Sequence, residues 1–595
     1  MSEYKAPLRD ITFSLNEVLD YPRHCEKIGT DEVNEELVSA ILEEAAKFAE
    51  QEIAPLNAVG DQEGCHWVDG NVTTPSGFKD AYQQFIEGGW CGLAMPQEYG
   101  GQGLPGSLNF AINEMLFSAN HAWTMYPTLS AGAVETILAH GTDQQKNTFL
   151  EKLVAGQWSG TMCLTEAHCG SDLGLLRTKA IANDDGSYSV TGSKIFISAG
   201  DHDLTENIIH LVLARLPGAP SGVKGISLFI VPKFTIKADG MPGEVNGVSC
   251  GSIEEKMGIH GNATCVINFD SAKGYLIGEP NKGMASMFTF INESRLGVAI
   301  QGQAHMQVAY QKSLGYAKER VQMRASKRVL IDQPADPIIA HPDVRRMLLM
   351  QKSLAEGGRI LNHICGLYSD IAHSATSADE KGRAHAMLAV LTPIAKGFLT
   401  EVSMEATQNG LQVLGGHGFI REWGLEQEYR DTRITAIYEG TNTIQALDLL
   451  GRKILASGGE ILEPYMAELD AFCQEHRAGE ISSFVARIED LKSDLQTLTA
   501  NIGKRAMEGE ADAVGSAAFD YLMYIGYLTL AWCWAKVAVT AHGALGRGTA
   551  ESAFYKSKLA TADFYFERLL PRANVHATTL NASSDSLMQL EADSF

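Results

Sequence analysis

The chain has 595 residues, 45% of them hydrophobic and 20% charged, enough for three or four domains with large cores and incompatible with disorder as the main state. Forty-eight basic residues against 72 acidic ones leave a net charge of −24, which disfavours nucleic acid and anionic membrane as principal partners and favours small-molecule chemistry. Ten cysteines contain no CxxC pair; even Cys163 and Cys169 lack zinc-ligand spacing, so reduced, mostly buried thiols of a cytosol-like compartment are expected.

In chain order, MSEYKAPLRDITFSLNEVL comes first, with Glu3, Asp10 and Glu17 interrupting any apolar run. It reads as neither a secretory signal nor an Arg-rich transit peptide, so a cytoplasmic protein is expected. Residues from about 30 to 155 carry helical patterns. EELVSAILEEAAKFAEQEIAPL sets Leu37, Ile41, Ala45 and Phe48 at helix spacing, with Pro55 near its end, and VETILAHGTDQQKNTFLEKLVAG stops near Gly156. Between them, Gly89–Ser107 is a glycine-rich loop without phosphate-loop order.

The character changes near Ser159. SYSVTGSKIFISAG, NIIHLVLARL, GISLFIVPKF and ATCVINFD are short, β-branched segments separated by Gly, Pro, Asn and Asp. No long helix divides them, which predicts an antiparallel sheet rather than a doubly wound one. After Gly283 the helical period returns in SRLGVAIQGQAHMQVAYQKSLGYAKERV, VRRMLLMQKSLAEGGRILNHICGLYSDIAHS and HAMLAVLTPIAKGFLTEVSMEATQNGLQVL, each long enough for a bundle helix. A further helical stretch follows Gly458 and Gly459. Within it, Tyr521–Ala535 passes without a charge between Asp520 and Lys536. That run is shorter than the roughly 20 residues of a membrane span, so a buried bundle helix is expected, with membrane contact as the alternative. The fold class is α+β, mainly α: an N-terminal helical domain over 1–158, an antiparallel β domain over 159–282, a helical bundle over 283–457 and an additional helical domain over 458–595.

GxxxxGK[ST], HExxH and GxSxG are absent, closing the simplest routes to a nucleotide hydrolase, zinc protease or serine esterase. Gly416, Gly418 and Arg421 of GGHGFIR come nearest to a dinucleotide fingerprint. There Arg421 replaces the third glycine, and a helical pattern precedes where a strand is required. His168, His260 and His417 lack further ligands at usable spacing, and no metal is expected.

Three separated stretches carry more: MCLTEAHCGSDLGLLRTKA with IFISAG downstream, RLGVAIQG with YAKERVQMR, and GLQVLGGHGFIREWGLEQEYRDTRITAIYEGTNTIQALDLLGRKI. On these the sequence resembles the acyl-CoA dehydrogenase family of flavoproteins, from about residue 35 to 455, in the family's order of helical, β and helical domains. QxxGGxG, RD and YEGT within one window are the most specific part. The added tail, VRRMLLMQKSLAEGGR and PLRDITFSLNEVL resemble the long subgroup that includes 3-methylmercaptopropionyl-CoA and bacterial fatty acyl-CoA dehydrogenases.

The resemblance implies oxidation of an acyl-CoA thioester to the trans-2-enoyl-CoA, a carboxylate taking the pro-R α proton while the β hydride moves to N5 of FAD. An α C–H beside a thioester is a weak acid, so the base must be close, desolvated and aimed, and the enolate oxygen stabilised. In the turn Tyr438-Glu439-Gly440-Thr441, Glu439 is implied as the base. Its backbone N–H, with the ribityl 2′ hydroxyl, is implied to bind the thioester carbonyl, with Tyr438 and Gly440 on the substrate side. A solvated loop glutamate is the alternative for Glu439. Met162, Leu164, Thr165 and Ser171 resemble residues that contact the flavin ring and the pyrophosphate or acyl-CoA. Phe196 stands where the family often has tryptophan and Ser198 where it often has threonine; an ordinary β-core aromatic is the alternative for Phe196.

Arg320 resembles the arginine that reaches the FAD pyrophosphate from a neighbouring subunit, with Gln322 and Met323 replacing the commoner threonine and phenylalanine. Gln412, Gly415 and Gly416 resemble the segment approaching the adenosine diphosphate, and Thr441 and Thr443 complete that side. A site shared across subunits implies an obligate homodimer. Arg295, with Asn292 replacing the usual aspartate, is implied near Glu439 and the substrate, where a cation favours the ionised carboxylate. A surface arginine at a helix start competes with that reading. The implied function is dehydrogenation of a medium- or long-chain fatty acyl-CoA, with 3-methylmercaptopropionyl-CoA as the alternative and electrons passing to an electron-transfer flavoprotein. An acyl-CoA oxidase and a catalytically inactive helical scaffold are the competing functions, and Glu439 with its flavin set argues against the scaffold.

Overall fold

The computed structural model describes residues 4–595 and divides into two compact units, Glu44–Gly297 and a second that joins the stretch ending at Glu43 to Val298–Phe595. The elements used below are, in chain order, helices α1 (Glu35–Phe48), α2 (Gly106–Ala119), α3 (His121–His140) and α4 (Asp143–Val154). Strands follow: β1 (Trp158–Cys163), β2 (Lys179–Ala182), β3 (Tyr188–Ser198), β4 (Asn207–Arg215), β5 (Ile226–Pro232), β6 (Val248–Ile253) and β7 (Thr264–Ile277). The second half contains α5 (Gly283–Glu319), α6 (Pro342–Ser374), α7 (Ala378–Leu414), α8 (Leu425–Arg433), α9 (Asn442–Leu447), α10 (Ser482–Met507), α11 (Ala513–Arg547) and α12 (Ser552–Phe564).

Two helical expectations are corrected in detail. On α1 the buried stripe is Val38, Leu42, Ala45 and Ala46, while Ile41 and Phe48 are half-buried and Leu37 is 38% exposed. The two apolar stripes share Ala45 and are otherwise offset by one residue, about 100° around the helix. The pattern ending near Gly156 is two helices: Thr142 accepts the Gln145 N–H at 3.2 Å while the Gln145 side chain accepts the Thr142 N–H at 2.9 Å, a reciprocal cap that starts α4 anew.

In the Glu44–Gly297 unit the strands run in the order β6-β7-β3-β2-β4-β1, and β5 pairs with both β4 and β7, so the ladder closes on itself. The sheet is antiparallel except where β1 runs parallel to β4 and at one β2–β4 bridge. Alternate residues of β4 serve two cores. Ile209, Leu211 and Leu213 meet Trp158 and residues of α3 and α4 such as Val134 and Phe149, while Val212 and Ala214 join Val190, Phe229 and Phe269. Burial on both faces explains why NIIHLVLARL is nearly continuous in apolar character.

In the other unit, α6 and α7 pack with α11, whose whole run Tyr521–Ala535 is buried. Glycines admit it: a Cβ at Gly526 would collide with Phe398, and one at Gly397 would stand 2.6 Å from Leu522. Most polar atoms of the run find partners inside the protein: Tyr524 donates to the Leu491 carbonyl at 2.9 Å and the Trp534 indole donates to the Ser353 carbonyl at 3.0 Å, while the buried Trp532 indole N–H has no acceptor. Among the described residues two helices, α7 with its continuation to Phe419 and α11, are long and apolar enough to cross a bilayer; their most apolar windows are 78% and 89% buried within the protein.

Candidate active site

The motif residues form three groups. In the first, β3 and the segment after β1 lie side by side: the Ile195 N–H donates to the Thr165 carbonyl at 2.9 Å, and the Thr161 hydroxyl donates to the Ser198 carbonyl at 2.8 Å. Met162, Leu164, Thr165 and Ser198 are half-buried, and Ser171 is exposed farther along the same segment. The β3–β7 register slips between Cys265 and Ile267, opposite Ile197 and Lys194, so Phe196 sits in a bulge. Its φ is 58°, in the left-handed region, and its ring is 59% exposed. A bulge beside a site re-aims a side chain, here turning an aromatic face outward from a strand. An ordinary core aromatic is therefore not what Phe196 is.

Beneath this group lies an ion pair that the sequence reasoning missed. Lys194, 0% exposed, donates to Glu166 Oε1 at 2.8 Å and to the Leu164 carbonyl at 3.0 Å. Glu166 also accepts the Thr178 hydroxyl at 2.6 Å and the backbone N–H groups of Arg177 and Thr178 at 2.7 and 3.0 Å. Burial opposes the ionised carboxyl, but the lysine and these donors outweigh it and hold Glu166 down to about 2. The pair fastens the Leu164–Ser171 segment to β3. Its signal was a lysine within a strand of β-branched residues, a charge that demands a partner wherever it points inward. Glu166, His168 and Cys169 also place ligand atoms within 4.8 Å of one another. The Glu166 oxygens are already engaged there, and the Lys194 ammonium opposes a second cation.

The second group is the turn between α8 and α9. Glu439 has φ 56° and Gly440 φ 83°, two successive left-handed residues of which only the glycine adopts that backbone freely. The Tyr438 hydroxyl donates to Gln301 Oε1 on α5, and burial followed by the Glu439 charge pushes the phenol well above its ordinary value, so it stays a donor. Beyond the turn, the Thr441 hydroxyl caps α9 by accepting the Ile444 N–H at 3.3 Å. Gln445 Nε2 donates to the Glu439 carbonyl at 3.0 Å and to that of Gly440 at 3.2 Å. Beside the turn opens a cleft of about 370 Å³ lined by Glu401, Arg433, Ile437, Thr441, Thr443 and Phe519. Phe519 comes from α11, a contribution no motif announced.

The third group sits at the far end of α5. The Arg320 N–H donates to the Tyr316 carbonyl at 2.9 Å, and the Tyr316 hydroxyl meets His417 Nδ1 at 2.9 Å. This contact ties the end of α5, just before Arg320, to the segment that carries the exposed residues Gln412, Gly415 and Gly416. Gln301, at the Tyr438–Thr441 turn, and Glu319, beside Arg320, are 18 residues apart on α5, about 27 Å. The second and third groups therefore do not converge within one chain. Arg295 lies on the Glu44–Gly297 side of α5 and is 6% exposed, which excludes a plain surface arginine.

Family comparisons cover nearly all of the chain. The acyl-CoA dehydrogenase N-terminal, middle and C-terminal domain families match residues 35–157, 161–272 and 281–455, and an acetyl-CoA dehydrogenase C-terminal-like family matches 465–591. The 3-methylmercaptopropionyl-CoA dehydrogenase of Ruegeria pomeroyi is 40% identical over 593 residues, spanning 98% of this chain and 99% of that protein. A broad-specificity linear acyl-CoA dehydrogenase of Mycobacterium tuberculosis is 34% identical over 618 residues, spanning 100% of both. The fold is also that of the Bacillus anthracis acyl-CoA dehydrogenase complexed with FAD, with a TM-score of 0.73 at 21% identity over 94% of this chain and 91% of that one.

Proposed function

This chain belongs to the acyl-CoA dehydrogenase family of FAD-dependent oxidoreductases, and from that premise we propose that it dehydrogenates the Cα–Cβ bond of a linear acyl-CoA, foremost 3-methylmercaptopropionyl-CoA. The substrate choice is carried by the 40% identity to the R. pomeroyi enzyme across 98% of this chain, tail included. Medium- and long-chain fatty acyl-CoA thioesters, preferred on sequence alone, stand second, supported by the 34% identity to the broad-specificity linear enzyme. An electron-transfer flavoprotein is the proposed electron acceptor.

The residues suit FAD. Phe196 offers an exposed aromatic face beside the Thr165 and Ser198 hydroxyls, which matches a flat heterocycle with polar edges. Arg320 with Gln412, Gly415 and Gly416 offers a cation and open backbone suited to a pyrophosphate. Met162, Leu164 and Ser171 belong with the first set, and Thr441 and Thr443 add hydroxyls at the cleft. When bound, FAD supplies the two-electron acceptor for the hydrogen leaving Cβ.

The Glu439 carboxylate takes the proton from Cα; that C–H electron pair becomes the Cα=Cβ π bond as the β hydrogen leaves with its own pair. The Glu439 N–H is offered to the thioester oxygen, where negative charge develops. Gly440 keeps a side chain off the acyl chain, and Tyr438, tied to Gln301, fixes the wall of the turn. Buried Arg295, in the Glu44–Gly297 unit, is assigned to the substrate side.

The same reading makes the protein a homodimer. Support comes from the 27 Å or so between the catalytic turn and Arg320, and from exposed apolar side chains around Arg320: Met323 at 76%, Ile331 at 79% and Phe419 at 91%. The test is an anaerobic titration with butyryl, octanoyl, palmitoyl and 3-methylmercaptopropionyl thioesters, following bleaching of the flavin band and a product two hydrogens lighter than its substrate. Bleaching should be fastest with the methylmercapto compound; a yellow protein that none of the four bleaches would contradict the activity.

A further inference from the structure

A lone lysine stands in the apolar part of α7, LAVLTPIAKGFL, and its side chain is 0% exposed. A fully buried ammonium is expensive unless acceptors surround it, and the acceptors here belong to the catalytic turn. Lys396 Nζ donates to the Gly440 carbonyl at 2.8 Å and to Asn442 Oδ1 at 3.0 Å. Asn442 is itself fixed: its Oδ1 accepts the Thr400 hydroxyl at 3.1 Å and its Nδ2 donates to Glu401 at 2.9 Å. With Gln445 on the Glu439 and Gly440 carbonyls, two successive carbonyls of the turn are drawn inward by side-chain donors. That is what holds a non-glycine residue at φ 56°. Directly behind Lys396, Gly397 lets Leu522 of α11 approach, so the added tail helix backs the lysine's position.

We propose that Lys396 is a positioning residue for the base: its ammonium locks the Tyr438–Thr441 turn in the left-handed conformation that presents the Glu439 carboxylate at one place. The inference rests on Glu439 being the base. It assigns Lys396 no contact with substrate or cofactor, so its loss acts on the aim of the carboxylate far more than on thioester or FAD affinity. Misplacing a reacting group by about 1 Å is enough to lower a rate 100-fold.

Holoenzyme forms of wild type, Lys396→Met, Gln445→Leu and Glu439→Gln are compared with 3-methylmercaptopropionyl-CoA and butyryl-CoA. The readouts are kcat, KM, flavin per chain, thermal midpoint and deuterium uptake at Cα in heavy water. Lys396→Met should lower kcat and α-deuterium uptake together, by about 100-fold, with KM within about threefold and flavin content unchanged. Gln445→Leu, which removes the companion donor, should lower both about tenfold and decides the matter if Lys396→Met does not fold. If both variants keep kcat within threefold of wild type while Glu439→Gln is inactive, the positioning role is wrong and the base stands. A fall in kcat that merely follows lost flavin or lost folded protein also overturns it. An active Glu439→Gln would instead remove the base assignment on which the inference rests.

Discussion

Three non-glycine residues of the candidate site hold left-handed backbone: Phe196 at φ 58°, Met323 at 59° and Glu439 at 56°. Each costs on the order of 1–3 kcal/mol and persists only where surrounding bonds impose it. For Glu439 those bonds come from Lys396 and Gln445. For Met323, the Asp336 N–H donates to its carbonyl at 2.8 Å, while the Asp336 carboxylate gathers the N–H groups of Ala325, Val329 and Leu330. YEGT singled out Glu439 as the candidate, but the strain was not legible, since Lys396 lies on another helix and the Gln445 side chain shows its direction only once folded. Glu166 and Lys194 yield a residue-scale prediction. Glu166→Gln leaves a buried ammonium without its counter-charge and should destabilise the unit by about 3–5 kcal/mol in chemical denaturation, with Lys194→Met added back recovering part of the loss. The Glu166 carboxyl is depressed from 4.5 to about 2, so its contribution is complete above about pH 4.5 and is lost as pH falls toward 2. Wild type should therefore lose stability more steeply than Glu166→Gln over that window; parallel acid-unfolding curves would refute the pair's role.

The elements were legible where a period was long and unbroken. α6 and α7 contain the segments that the helical repeat marked and α5 covers all of its own but the last two residues; β3, β4 and β5 lie within theirs, and β7 starts one residue after its segment begins and runs on to Ile277. What the repeat left undecided was the choice between two apolar stripes on α1 and the direction of β1 against β4, both of which depend on partners distant in sequence. The uncharged run of α11 is a further case: composition admitted two surroundings, and the glycine notches that receive it, Gly397 and Gly526, are visible only once the helices are packed. Gly526→Ala sets a methyl against the Phe398 ring and should destabilise the Val298–Phe595 portion by about 1–3 kcal/mol, read from the thermal midpoint. A midpoint equal to wild type would show that the notch is not tight.

On the scale of the molecule, residues 9–17 clasp the added tail. Arg9 pairs with Glu551 at 2.9 Å, Asp10 pairs with Lys558, and the Tyr555 hydroxyl donates to Glu17 at 2.6 Å, which groups the N-terminal stretch with the unit that holds α12. A four-segment plan drawn along the chain could not show this, because the partners are more than 500 residues apart. The net charge of −24 likewise concealed the local cations Arg295, Arg320 and Lys396. At the proposed dimer surface, Met323→Glu with Phe419→Glu should convert the dimer to a monomer in light scattering and reduce retained flavin at least about tenfold, because Arg320 would no longer reach a partner's cofactor. A double variant that stays dimeric with full flavin would place the interface elsewhere. The measurement closest to the central claim is a single anaerobic turnover by Glu439→Gln. The variant should retain flavin, bind the thioester that wild type oxidises, and neither bleach the flavin nor take up deuterium at Cα; bleaching at a rate comparable to wild type would contradict Glu439 as the base.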